Sequence, residues 1–407
     1  MIEKPSGLSS LAASAAAMPL EAMLEVKKKQ KQLFIGIPKE TSFQENRIPL
    51  IPESVSLLVN HGHEILIEAG AGESAKIEDS DFSEAGAKIV YTPEEVYKAD
   101  IILKVAPPSP DELKLIQPRQ FLLSILQMSM QNADYIRALS SKKVTAIGYE
   151  FIHEDSGVYP IIQAMSEIVG STSILIAAEY LSNAFHGKGE LLGGVSGIPP
   201  TEVVIIGAGT VGEYAARTAI GLGAIVKVFD NNVNRLRRLQ YRLGHRIYTS
   251  IIVPNTLLKE LKNADVAIGA LRSSEGRTPV VVTEEMVSEM RVGSVIVDVS
   301  IDQGGCFETS EVTNHLQPVF RKYGVVHYCV PNIASRVSRT ASAALSNIFS
   351  QIFIAAAEEG GLDEVIWKNK AVRSGVYMYN GSITNRYVAE ACKLPFKDLD
   401  LIKAARL

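Results

Sequence analysis

Three glycines and one acid carry the clearest chemical signal in this chain. Gly207, Gly209 and Gly212 form G-x-G-x-x-G directly after the apolar run Val203 to Ile206, and Asp230 closes a second apolar run, Ile225 to Phe229. The first glycine permits a tight turn, the second lets backbone approach a pyrophosphate, and the third lets a helix pack close to the preceding strand. The helix predicted over Glu213 to Leu222 points its free N-terminal amides and positive dipole end at a phosphate. Asp230 is placed to accept hydrogen bonds from two ribose hydroxyls, which favours NAD. Asn231 and Asn232 offer no cation for a 2′-phosphate, although Arg235 lies one helical turn further on.

Other polar residues stand where strands are predicted to end. Lys104 sits near the end of Ile101 to Val105, just before Pro107 and Pro108. A lysine in an apolar run is either functional or tied to a buried acid. Arg47 follows a polar loop; it is either a surface residue or a fork for a carboxylate. In the run DVSIDQGGCFE, Asp302 either contacts ribose and substrate or caps a glycine turn made by Gly304 and Gly305.

Positioning these residues calls for two alternating α/β units. The strands predicted at Phe34 to Pro38, Glu64 to Glu68, Lys88 to Val90, Ile101 to Val105, Phe121 to Leu126 and Val144 to Gly148 alternate with helical stretches. That pattern is met most economically by parallel strands with crossover helices. The fold class is therefore α/β, two Rossmann-like doubly wound domains joined by long helices with an inter-domain cleft. Met165 to Phe185 and Ser335 to Ala357 are predicted as the long helices, and the tail is expected to return to the first domain. The division is an N-terminal extension at 1–32, a substrate domain from 33–160 and 340–407, and an NAD-binding domain at 161–339.

Composition narrows the partners. Forty-one basic and 45 acidic residues leave a net charge of −4 over 407 residues, which argues against nucleic acid or an anionic membrane as the main ligand. No apolar run is expected to span a bilayer, because Glu179 interrupts Ile174 to Phe185. Cys306, Cys329 and Cys392 form no C-x-x-C pair and are expected as free, buried thiols in a reducing, cytoplasmic setting. The lysines at 27–29 and 31 follow the alanine-rich opening stretch, the reverse of a secretory signal. No metal site is expected.

The blocks GIPKETSFQENRIPL, EAGAGESA, ILKVAPP, MSEIVG, LLGGVSGIPPTEVVIIGAGTVG, VDVSIDQGGCFETS, YCVPNIASRVSRTASAALSN and YNGSITNRYVAEACKLPF resemble, in order, the signatures of the alanine dehydrogenase and transhydrogenase α-subunit family. The likeness covers about residues 33 to 397. It implies a substrate domain built from both chain ends, an inserted NAD domain and a homo-oligomer, hexamer or dimer. It implies reversible oxidative deamination of L-alanine to pyruvate and ammonia, with hydride passing to NAD. Arg47 matches the family's substrate-carboxylate arginine and Lys104 its substrate lysine. Ser166 matches a cofactor contact, Asp302 the acid beside substrate and nicotinamide, and Asn332 the block that closes over the cofactor. Thr210 and Leu271 complete the expected cofactor contacts.

Two departures from the pattern bear on function. Gln127 stands where alanine dehydrogenases carry a histidine that hydrogen-bonds the substrate oxygen, and an amide cannot exchange a proton near neutral pH. Gln127 is therefore expected to orient the substrate only. Arg336 and Arg339 replace the usual proline or lysine and would favour a larger or more acidic substrate. The alternatives are a dehydrogenase of a different small amino acid, a soluble NAD(H)-binding relative of the transhydrogenase α-subunit, or a non-catalytic NAD sensor.

Overall fold

The structure is a computed structural model that describes residues 31–128, 131–273 and 277–404. The expected extension at 1–32 lies almost wholly outside the described residues. Two sheets organise the rest. The first has eight strands in the order β15-β14-β6-β5-β4-β1-β2-β3 and the second seven in the order β12-β13-β11-β10-β7-β8-β9.

In the first sheet, β1 (Phe34–Ile37) pairs in parallel with β2 (Glu64–Glu68) on one side and β4 (Ile101–Leu103) on the other. β3 (Lys88–Val90) lies beyond β2, and β5 (Phe121–Ser124) and β6 (Thr145–Gly148) lie beyond β4. The winding reverses between β1 and β4, so the loops leaving their carboxyl ends diverge and open a crevice. The second sheet repeats the device. β7 (Glu202–Ile206) lies between β8 (Ile225–Phe229) and β10 (Val266–Gly269). β9 (Tyr248–Ser250) extends one flank; β11 (Val295–Asp298), β12 (Val319–Lys322) and β13 (Val325–Tyr328) extend the other. The last pair, β12 and β13, is antiparallel.

Both faces of each sheet are covered, which is why the central strands are apolar throughout. Val203 and Ile205 face Ala215 and Ala219 in one core, while Val204 and Ile206 face Leu257 and Phe307 in another. Alternate residues point to opposite faces, so a fully covered strand cannot spare either set. The long helix Pro160–Leu181 packs against the helix Thr210–Gly221, and Gly170 makes this possible: a Cβ there would stand 2.4 Å from the Val211 carbonyl. The return helix Ser338–Glu359 gives Leu345, Phe349 and Phe353 to the first core. β14 (Val376–Tyr379) then adds antiparallel to β6, and β15 (Ser382–Ile383) pairs with β14. Strands from both ends of the chain thus share the first sheet.

The expected elements are present with shifted limits. The two long helices run Pro160–Leu181 and Ser338–Glu359. A short 3-10 turn, Ile333–Val337, precedes the second. The expectation that nothing is apolar enough to span a bilayer needs correction: by length and composition alone Pro160–Leu181 and Ile333–Glu359 both qualify. Glu179 does not disqualify the first, since one charge is tolerable over such a length. Pro160–Leu181 gives Ile174, Ile176 and Leu181 to the core of the second sheet, as Ser338–Glu359 gives its two phenylalanines to that of the first. All three cysteines are free and buried.

Candidate active site

The glycine turn has the geometry its spacing requires. Gly207 has φ +117°, and a Cβ on it would lie 2.3 Å from the Ala270 carbonyl, at the end of the neighbouring strand β10. A Cβ on Gly212 would lie 1.9 Å from the Gly207 carbonyl, so only glycine lets the helix start this close to the strand. Gly209 is different: a Cβ there would meet nothing within 4 Å. Its backbone therefore borders open space, beside the first helical residue, Thr210.

Asp230 is held by two amides, from Ala208 at 2.8 Å and Asn232 at 2.7 Å. It lines a cavity of about 540 Å³ with Asn231, Asn232, Arg235, Leu271 and Pro279. The nearest Arg235 nitrogen is 3.8 Å from the carboxylate, so the arginine's charge is directed partly at Asp230. The Leu271 carbonyl accepts the Ser300 hydroxyl at 2.8 Å, tying this cavity to the 3-10 turn Val299–Gln303 that carries Asp302.

A second group of residues lies at the seam between the sheets. Arg47 comes from the loop after β1, and its Nε and Nη2 donate to Glu45 at 2.7 and 2.6 Å. Its Nη1 faces Met165 Sδ at 3.5 Å, the residue before Ser166 on the long helix. Asn332 adopts the left-handed conformation, φ +57°, and reaches across from the second sheet to donate to Glu45 at 3.0 Å. Its backbone lies close enough to the Asp302 carboxyl to favour the charged form. Ser335 fastens the same seam, accepting from the Asn46 amide at 2.7 Å and donating to the Gln44 carbonyl at 2.8 Å. The His315 amide adds a bond to Gln44 Oε1 at 2.7 Å.

Charge is distributed unequally over this group. Burial works against the Glu45 carboxylate, but the charge and hydrogen bonds of Arg47 outweigh it and hold the group below its usual range. Asp302 is crowded by protein on most sides, and this pushes its carboxyl up to about 6 against the opposing pull of the Asn332 amide and Arg47. It nevertheless keeps a face open to solvent.

Lys104 and Gln127 do not join this group. The Lys104 ammonium is fully buried, 2.5 Å from Glu112 and 3.4 Å from Glu40. Of the two meanings open to a lysine in an apolar run, the structure shows the ion-paired one. Two carboxylates share this one cation. Burial drives the Glu40 carboxyl up to about 7, against Lys104 and the Val105 amide. Gln127 is exposed, with φ +50°, and lines a separate cavity of about 640 Å³ with Ser42, Pro107, Pro108 and Asn132. Arg336 is likewise taken: it pairs with Glu179 and lies 5.9 Å over the Tyr328 ring. The added charge expected to favour an acidic substrate is therefore neutralised at Arg336.

Sequence reasoning missed Glu45, Glu40 and Glu112, which decide what Arg47 and Lys104 can do. The only available signal was an acid two residues before an arginine. Gly305 is needed for packing, since a Cβ there would stand 2.7 Å from Asp298. Asp298 is buried and accepts from Ser300, Cys306 and Ser310, which shapes the turn around Asp302.

Residues 36–169 match the family model "Alanine dehydrogenase/PNT, N-terminal domain", and residues 173–386 match its C-terminal counterpart. The chain belongs to the alanine dehydrogenase/PNT family. Among relatives, the alanine dehydrogenase of Methanococcus maripaludis is 40% identical over 366 residues, covering 89% of this chain and 98% of that protein. The alanine dehydrogenase of Bacillus subtilis is also 40% identical, over 358 residues, covering 88% and 94%. A solved L-alanine dehydrogenase superposes with a TM-score of 0.82 at 36% identity, over 88% of this chain and 98% of that one. A transhydrogenase from Sinorhizobium meliloti shares the fold, with a TM-score of 0.74 at 23% identity over 87% and 99%. Within the alanine dehydrogenase/PNT family the two sheets described above correspond to the two matched domains, apart from the terminal strands that cross back.

Proposed function

We propose that this chain is an NAD-dependent alanine dehydrogenase. It catalyses the reversible reaction of L-alanine, water and NAD⁺ to pyruvate, ammonium, NADH and a proton. One observation carries the reading: Arg47 from one sheet and Asn332 from the other both bind Glu45, beside the Asp302 carboxyl and alongside the helix that bears Ser166. A carboxylate anchor and an ionisable acid from opposite sides of a crevice are what an amino-acid dehydrogenase requires.

The residues fit NAD. Open space over Gly209 suits a pyrophosphate at the start of the helix Thr210–Gly221, and the cavity of Asp230, Arg235 and Leu271 suits an adenosine with free ribose hydroxyls. When bound, NAD supplies the hydride acceptor. Ser166, Asp302 and Asn332 are the residues that would border its nicotinamide end.

The chain's own chemistry follows from charge and access. Arg47 holds the substrate carboxylate. Asp302, with its carboxyl near 6 and one open face, is mostly ionised at neutral pH and accepts a proton as the amine is converted to imine and water adds. Lys104 holds Glu40 and Glu112 in place beside the substrate crevice. Closing the two lobes excludes bulk water and brings the reacting carbons into contact distance.

Assembly with further copies of this chain into a homo-oligomer belongs to the same reading, as the resemblance of the sequence to the family implies. A cytoplasmic location accords with three free thiols. Following NADH absorbance across a panel of amino acids tests the function. Alanine-dependent NADH formation is expected, and a folded, NAD-binding protein inert toward every small amino acid rejects the proposal.

A second reading is favoured by Gln127 and by the burial of Lys104: a soluble NAD(H)-binding relative of the transhydrogenase α-subunit. Hydride exchange between NADH and an oxidised nicotinamide analogue, without any alanine turnover, would select it.

A further inference from the structure

We propose that Glu45 is the residue that positions Arg47, and that docking of the second lobe fixes Glu45 in that place. The inference rests on the reading of Arg47 as the anchor of the substrate carboxylate.

An arginine offers two edges to a carboxylate, and here one is already used. Glu45 takes the Nε and Nη2 edge of Arg47 at 2.7 and 2.6 Å. A substrate carboxylate must either displace Glu45 or use the remaining Nη1 side. Displacement is blocked by the number of donors that hold Glu45. Besides the two guanidinium bonds, it accepts from the Arg47 amide at 3.1 Å and from Asn332 Nδ2 at 3.0 Å. With 5% of its side chain exposed, it has no solvent to retreat into. A carboxylate fixed by charge-assisted bonds on both oxygens is an orienting group, not a competitor.

The edge left over faces the partner it needs. Arg47 Nη1 is directed at Met165 Sδ, 3.5 Å away, on the helix that carries Ser166. A thioether is a weak acceptor. Met165 can therefore yield to a substrate carboxylate where Glu45 cannot.

One of the donors that fix Glu45 comes from the other lobe. Asn332 belongs to the segment that follows β13, and its backbone also lies against the Asp302 carboxyl. Parting the lobes removes this bond, and Glu45 then holds Arg47 through the loop's own contacts alone. Carboxylate affinity is in this way linked to the docking of the segment that borders the nicotinamide end. Glu45 touches neither substrate nor cofactor in this arrangement; it acts through Arg47.

The test compares Glu45→Gln, Glu45→Asp and Arg47→Lys in the full-length protein. A neutral amide cannot accept from both guanidinium nitrogens and Asn332, so Glu45→Gln is expected to raise the KM for alanine at least about tenfold. The KM for NAD and the kcat at saturating alanine should change by far less. Glu45→Asp keeps the charge and should recover part of the loss. An alanine KM that is unchanged or lower in Glu45→Gln overturns the proposal, because Glu45 would then be idle or competing. A parallel rise in the KM values of both substrates also overturns it in favour of a purely structural role. If Arg47→Lys leaves the alanine KM unchanged as well, the carboxylate-anchor reading itself fails. Should Glu45→Gln not fold, Glu45→Asp against Arg47→Lys carries the same comparison.

Discussion

Lys104 and Glu112 form an ion pair of 2.5 Å within the first sheet's crevice, and the lysine side chain has no surface open to water. Glu40 stands 3.4 Å away and completes a triad with one cation and two acids. Removing one partner of a buried pair strands the other charge.

The first prediction follows from this triad. Lys104→Met should destabilise the fold by about 3–5 kcal/mol, read as a lower midpoint in urea, with less effect if Glu112→Gln is added. Loss of turnover with no loss of stability would instead place Lys104 among the groups that touch substrate.

The acid at the end of β8 should govern cofactor affinity alone. Asp230→Ala removes the acceptor for the Ala208 and Asn232 amides and for ribose. The KM for NAD should rise at least about tenfold and the alanine KM should change little. Steady-state kinetics with each substrate varied in turn checks this.

The pH dependence is set by Asp302. Its carboxyl is raised to about 6 by the surrounding protein, so the base form gains population, and oxidative deamination gains rate, as pH rises through 6. Asp302→Asn should remove that limb of the profile and lower kcat by about 10²–10⁴. Stability runs the other way. The folded state binds this proton more tightly than the unfolded state, so between about pH 4 and 6 this group's contribution to stability falls as pH rises. Denaturation of wild type and Asp302→Asn across that range shows the difference.

Two glycines of one motif should fail differently. Gly212→Ala forces a Cβ to 1.9 Å from the Gly207 carbonyl and should disrupt the strand-to-helix junction itself, lowering the thermal midpoint. Gly209→Ala meets no protein atom within 4 Å and should leave the midpoint unchanged while weakening NAD binding. Equal losses of stability in both variants would contradict the assignment of the space over Gly209.

What could be read from the sequence was local. Gly207, Gly209, Gly212 and Asp230 declare themselves because turn, helix start and acid lie within one continuous β-α-β unit whose spacing is fixed by covalent geometry. Arg47, Asp302 and Asn332 were legible only as motif matches, since nothing near them in the chain indicates that they meet. The partners of Lys104 escaped because Glu40 lies in another loop and is brought close by the pairing of β1 with β4. A lysine's neighbours in space, not its neighbours in sequence, decide between catalysis and ion pairing. β9 is three residues long and half exposed, too short and too mixed to show a period. The apolar character of the two long helices was underrated because one charged residue was taken to interrupt a run.

The shared first sheet has a consequence for synthesis. β6 waits for β14 as its neighbour on that flank, and β14 begins only at Val376, after the whole second sheet has been made. On the ribosome the nucleotide-binding lobe can reach its final form while the lobe that begins the chain still lacks an edge. Premature termination shortly before Val376 would therefore release a protein with its newer half finished and its older half open.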